Sequence, residues 1–81
     1  MEFTVYILKS QKDQKYYYGY SRDVESRLLQ HNLGQVKSTR SRMPFDLHYT
    51  EKFKTKREAI QRELYFKSYD GYKWLKTKQI I

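Results

Sequence analysis

Alternation of apolar and polar positions organises the first half of the chain. Phe3–Lys9 (FTVYILK) is rich in β-branched and aromatic residues and predicts a strand, with Phe3, Val5 and Ile7 on one face and Thr4, Tyr6 and Leu8 on the other. The polar run Ser10–Gln14 is short enough to be a hairpin connection. In the second strand, Lys15–Tyr20, a period of two sets Tyr17 and Gly19 on one face and Tyr16, Tyr18 and Tyr20 on the other. Gly19 inside a strand is unfavourable unless a bulge, another backbone or a ligand needs the room, and it is expected to leave space beside Tyr17. A third strand, Phe45–Phe53, carries Phe45, Leu47, Tyr49 and Phe53 on one face.

The remaining segments follow a helical period. Asp23 is placed to cap a helix from Val24 to about Leu33, and Gly34 to end it in the left-handed conformation. Val24 and Leu28 centre its apolar face, and Arg27 and His31, four residues apart, share that side. Leu29 and Leu33 fall on a different arc. Gln35–Pro44 (QVKSTRSRMP) is a loop by composition, in which Lys37, Arg40 and Arg42 alternate with Ser38, Thr39 and Ser41. Such a segment suits either phosphate contacts or a mobile linker. Thr55–Glu58 forms a capping box that opens a helix running to about Lys67. Ala59, Ile60, Leu64 and Phe66 span its apolar arc, with Arg57, Glu58, Gln61 and Arg62 opposite. Glu63 falls inside the apolar arc, and a carboxylate there needs a cation, a hydrogen-bond network or a metal. Lys67, one turn on, is the structural partner for it. Ser68–Gly71 reads as a break before a short basic helix from Tyr72 to about Gln79, docked by Trp74 and Leu75. The predicted class is α+β, in the order strand, strand, helix, strand, helix, helix.

Composition narrows what such a fold does. Eighty-one residues predict a single domain, 1–81, and a domain this small buries only about 60 to 65% of its unfolded surface. Nine tyrosines and four phenylalanines supply much of that core area. The absence of cysteine excludes disulfides and thiolate metal sites and suits a reducing, cytoplasmic location. No stretch resembles a leader or a membrane span. Seventeen Lys and Arg against nine acids give a net charge of +8, which predicts attraction to a polyanion and makes nucleic acid the leading partner over a membrane surface.

No glycine-rich phosphate loop or zinc-spaced histidine pair is present. What remains is two tyrosines, an arginine, a histidine and one misplaced glutamate on a basic chain, a set suited to phosphodiester hydrolysis. The sequence resembles the GIY-YIG nuclease superfamily, above all small single-domain bacterial members related to the amino-terminal domain of the excinuclease C subunit. The resemblance rests on VYIL at Val5–Leu8, YYG at Tyr17–Gly19, DVESRL at Asp23–Leu28, His31-Asn32 with Gly34, KSTRSRMP at Lys37–Pro44, and REAIQRELYFKS at Arg57–Ser68. It covers nearly the whole chain.

That resemblance implies a three-stranded antiparallel sheet flanked by helices, one divalent metal, Mg²⁺ or Mn²⁺, and hydrolysis of nucleic-acid phosphodiesters. The sequence leaves DNA against RNA open, with DNA favoured, and with no long recognition domain weak sequence specificity is expected. Tyr6 and Tyr17 match the tyrosines of the two motifs, Gly19 the second-motif glycine, Arg27 the catalytic arginine and Glu63 the metal-binding glutamate. His31 lies where the family has a histidine or tyrosine. Tyr6 is the favoured general base, with Tyr17 and His31 positioning the water. Lys37, Ser38, Thr39, Arg40, Arg42 and Lys67 are the expected nucleic-acid contacts, and a monomer is the favoured state. The chain has no match, in SYDGYKWLK, to the asparagine that many relatives carry after the glutamate helix. The alternative is a basic nucleic-acid-binding module on the same fold, without turnover.

Overall fold

The structure, a computed structural model, describes residues 2–81. Its elements are β1 (Phe3–Ser10), β2 (Tyr16–Ser21), α1 (Val24–Asn32), a single 3-10 turn (Arg40–Arg42), β3 (Phe45–Phe53), α2 (Lys56–Phe66) and α3 (Tyr69–Thr77). The strands form one antiparallel sheet in the order β2-β1-β3. The most apolar strand, β1, is thus central, and β2 and β3 are both edges.

Helices cover the two faces of the sheet unequally. On one side Val5 and Ile7 pack with Ala59, Phe66 and Leu75 of α2 and α3, joined by Tyr16, Tyr18, Tyr20 and Trp74. On the other, Tyr6, Leu8 and Phe45 meet Tyr17, Val24 and Leu28, under α1. The strand alternation read from the sequence therefore holds for β1 and β2. In β3 it does not, because the pairing with β1 slips by one residue between Ile7 and Leu8. Ile7 faces Tyr49 while Leu8 faces Leu47, leaving His48 as the extra residue. A one-residue bulge moves every later side chain to the opposite face, so Phe45 packs with the α1 layer while Tyr49 and Phe53 join the α2/α3 layer.

The helix starts follow their caps. The Asp23 carboxylate accepts the amide of Ser26 at 3.1 Å, and Thr55 Oγ1 accepts that of Glu58 at 3.2 Å. Gly34, at φ 74°, lies just past the end of α1. The expected break at Ser68–Gly71 is instead a helix start: Ser68 Oγ accepts the Gly71 amide at 3.1 Å, and α3 begins at Tyr69. Gly71 is inside the helix because a Cβ there would stand 1.7 Å from the Tyr65 carbonyl oxygen, so only glycine lets α3 fold back this tightly on α2.

The polar side of α2 also departs from the simple wheel. Arg62 is not solvated but lies across the aromatic end of the core, 4.5 Å from the Trp74 ring centre and 4.8 Å from that of Phe66. Its Nε donates to Glu51 Oε1 at 2.7 Å. Leu64, placed by the pattern on the apolar arc, is 59% exposed instead. The Arg62 side chain covers apolar surface there while its charge is held by Glu51.

Candidate active site

The site begins at Gly19, on edge strand β2 directly opposite Tyr6 of β1. A Cβ on Gly19 would lie 2.5 Å from the Tyr6 hydroxyl and 2.6 Å from Cζ. The missing side chain does not leave open space beside Tyr17, as the sequence suggested; the Tyr6 ring fills it. Tyr6 thereby crosses its neighbouring strand toward the free edge of the sheet, and its ring is nearly fully buried.

α1 delivers the next groups. His31, in its last turn, is fully buried, and its Nε2 lies 3.3 Å from the Tyr6 hydroxyl. The Tyr17 ring meets His31 edge-on at 5.0 Å, and Phe45 closes the other side at 5.9 Å. Arg27, one turn before His31, hydrogen-bonds only the neutral Gln30, at 2.9 Å, and has no carboxylate partner among the described residues. α1 is held in place by Asn32, whose side-chain amide donates to the Phe45 carbonyl at 3.0 Å and accepts the Phe45 amide at 2.7 Å. That clasp extends the β3 edge with a side chain acting as one more residue of strand. The sequence gives only a faint signal for it, an asparagine in a last helical turn.

Electrostatics tie these groups to one another. Burial raises the Tyr6 phenol above its ordinary value; the neighbouring Arg27 guanidinium works against that, and Tyr17 and Glu63 reinforce it. Burial, with the charge of Arg27, lowers His31 below its ordinary value, so both groups are neutral at pH 7. Glu63 comes from α2, on the other layer, and its charge is the smallest of the influences on the Tyr6 phenol. Its Oε2 accepts from Lys67 Nζ at 3.1 Å, so the structural partner is real.

The loop divides the expected phosphate contacts into two groups. Lys37, Ser38 and Arg40 are exposed, as is Lys67. Thr39 is fully buried, with its Oγ1 2.7 Å from His31 Nδ1, and so faces the site's interior rather than a phosphate. Arg42 Nε donates to Asp13 at 2.8 Å, and its guanidinium covers the Phe45 ring. The loop is no free linker: Ser10 Oγ donates to the Arg42 carbonyl at 2.6 Å, and Gln11 N to that of Pro44 at 2.9 Å. Buried Ser10, which also accepts the amides of Lys12 and Asp13, has no signal in the sequence beyond its place at a strand end.

Among the described residues no three His, Cys, Asp or Glu side chains group as an all-protein metal cage. The donor set fits magnesium or manganese better than zinc or calcium, since magnesium is commonly held by only one or two carboxylates with water and phosphate completing the shell. Lys67 engages Glu63 through Oε2, which leaves Oε1 to coordinate.

A three-stranded antiparallel sheet with helices on both faces brings Tyr6, Tyr17 and His31 together under α1. The chain belongs to the GIY-YIG family: the GIY-YIG catalytic domain matches residues 2–76. It is 45% identical over 73 residues to a UPF0213 protein of Staphylococcus saprophyticus, covering 89% of this chain and 88% of that one. It is 52% identical over 63 residues to a UPF0213 protein of Bacillus licheniformis, covering 76% of this chain and 64% of that relative's length. The solution NMR structure of a UPF0213 protein from Bacillus halodurans superposes with a TM-score of 0.57 at 38% identity, over 95% of this chain and 84% of that one. No helix among the described residues is long and apolar enough to cross a membrane.

Proposed function

We propose that the protein is a divalent-metal-dependent endonuclease that hydrolyses nucleic-acid phosphodiesters, DNA above all, with low sequence specificity. The observation that carries this reading is the cluster of buried Tyr6 with His31 at 3.3 Å and Tyr17 against the same histidine at 5.0 Å, one helical turn from an Arg27 that no acid engages among the described residues, in a chain of net charge +8. Membership of the GIY-YIG family supports the same chemistry.

Each residue's part follows from what the reaction needs. Arg27, unpaired with any acid, offers its planar fork to the nonbridging phosphate oxygens, a geometry lysine lacks. Tyr6 handles the proton of the attacking water, and Tyr17 and His31 wall and orient that phenol. Lys37, Ser38 and Arg40 meet the flanking phosphates, and Lys67 adds charge near Glu63. Glu63 would hold Mg²⁺ or Mn²⁺, which when bound supplies positive charge to the phosphate and the leaving oxygen.

The Glu63–Lys67 pair favours a second reading, in which the pair is permanent and the domain binds nucleic acid without cutting it. Metal-dependent cleavage of duplex, single-stranded and branched oligonucleotides decides between the two. Glu63→Ala is expected to lower cleavage on the order of a thousandfold while leaving DNA binding in place. Wild-type protein that binds these DNAs but cuts none with either metal overturns the catalytic reading.

A further inference from the structure

We propose that Thr39 is a positioning residue that fixes the tautomer of His31, so that His31 Nε2, bare of hydrogen, faces the Tyr6 hydroxyl. This rests on the endonuclease reading for its consequence, though not for its geometry. Thr39 and His31 are both fully buried, and the line from Tyr6 Oη to Nε2, then from Nδ1 to Thr39 Oγ1, measures 3.3 and 2.7 Å.

The direction of the hydrogens follows from the hydroxyls at the two ends of this line. Among the described residues, the one acceptor within hydrogen-bond reach of the Tyr6 hydroxyl is Nε2. At the other end Thr39 Oγ1 donates to the Val36 carbonyl at 3.4 Å, which leaves an oxygen lone pair toward Nδ1. A hydrogen on Nδ1 and none on Nε2 lets both hydroxyls keep these partners. Tyr17 and Phe45 pack edge-on against the His31 ring, at 5.0 and 5.9 Å.

The consequence is a proton path. As water attacks phosphorus, one of its O–H bonds breaks and a bond to Tyr6 Oη forms, while the original Tyr6 O–H breaks and a bond to His31 Nε2 forms. The products of this shift are a hydroxide-like nucleophile and an imidazolium, with Tyr6 a neutral phenol throughout. Tyr6 therefore serves as conduit and need not exist as a free phenolate. Thr39 sits in the same loop as Lys37, Ser38 and Arg40, so the segment offered to phosphate also sets the histidine.

Nitrogen NMR of the histidine ring tests the assignment without reference to activity. Wild type and Thr39→Ser are expected to show His31 with hydrogen on Nδ1, and Thr39→Val, isosteric but without the hydroxyl, to show the Nε2-hydrogen form instead. With Mn²⁺ and an oligonucleotide that wild type cleaves, Thr39→Val is expected to lower kcat roughly a hundredfold, the low end of what positioned proton transfer contributes. KM should stay within about twofold of the wild-type value, and serine should restore kcat. A wild-type His31 carrying its hydrogen on Nε2 overturns the proposal even if the valine variant does not fold. So does a valine variant that keeps the Nδ1 hydrogen. Absence of cleavage by wild type defeats the endonuclease reading alone, since the tautomer is measured in the free protein.

Discussion

The two faces of this sheet bury side chains of different kinds for different ends. Toward α2 and α3 the enclosed residues are Val5, Ile7, Ala59, Phe66 and Leu75, and the polar groups at the margin are consumed in holding that layer shut. Arg62 shows it best, with Nε and Nη2 on Glu51 and its plane over Trp74. Toward α1, in contrast, a histidine, a threonine and a tyrosine hydroxyl are buried in a line, and Arg27 has no acid to hold. Both arginines are helical and half-buried. The one whose donors are satisfied by carboxylate is architectural; the one left with spare donors beside a buried phenol is available to an anion. Burying three polar side chains together is tolerated only because each has a partner.

If the layers divide stability and chemistry in this way, single changes should separate the two. Phe66→Ala empties the centre of the apolar layer, where Tyr18, Tyr49, Tyr65 and Trp74 all surround the ring. A loss of about 3–5 kcal/mol is expected in urea denaturation, a large part of what a domain of this size possesses. A loss under about 1 kcal/mol would mean that this layer is not the main source of stability. Gly19→Ala works on the opposite face. Its new methyl would need the space of the Tyr6 hydroxyl and ring, and Tyr6 must swing away from His31. Cleavage should fall about a hundredfold, as for other displacements of about 1 Å at a reacting group, while stability drops by only about 1–3 kcal/mol. Full activity with reduced stability would show that the Tyr6 position is a matter of packing alone.

How much of this is legible in the sequence depends on whether a feature is periodic or contingent. Strand and helix order, the opposite directions of Tyr17 and its neighbours, and the shared side of Arg27 and His31 all follow from periods of 2 and 3.6. The β3 bulge breaks one such period at His48, and no local residue preference marks it. Gly19 and Gly71 announce a close approach without naming what approaches: for one it is a tyrosine ring and for the other the Tyr65 carbonyl. Thr39 and Arg42 stand among exposed basic and hydroxyl residues and look alike in sequence to Ser38 and Arg40. Their inward turn is set by His31, Ser10 and Asp13, which lie 8, 32 and 29 residues away. Glu63 is legible as an anomaly, since its acid falls on an apolar arc, but which neighbour it serves is a question of tertiary contact.

The smallest expected effect concerns the tie between the β1–β2 hairpin and the loop that carries Thr39. Asp13 accepts from Arg42 Nε at 2.8 Å, and the carboxyl is held at about 2, first by Arg42 and then by the Lys15 amide. A carboxyl whose value is lower folded than unfolded stabilises the fold fully above the unfolded value of about 3.9. Below that the contribution fades, and it is lost as pH falls through about 2. Asp13→Asn should therefore be slightly less stable than wild type at pH 6, with the gap closing between about pH 4 and pH 2 in urea titrations. Because the pair is surface-exposed the gap should also shrink in high salt. The α1 layer predicts a second, separable result: with Arg42 freed, the His31–Thr39 bond should persist, since Ser10 still holds the Arg42 carbonyl at 2.6 Å. Unchanged His31 ring nitrogen shifts in Asp13→Asn would place the ion pair outside the site. Altered shifts would extend the site's support to the hairpin and make the loop's charge pairing part of the chemistry.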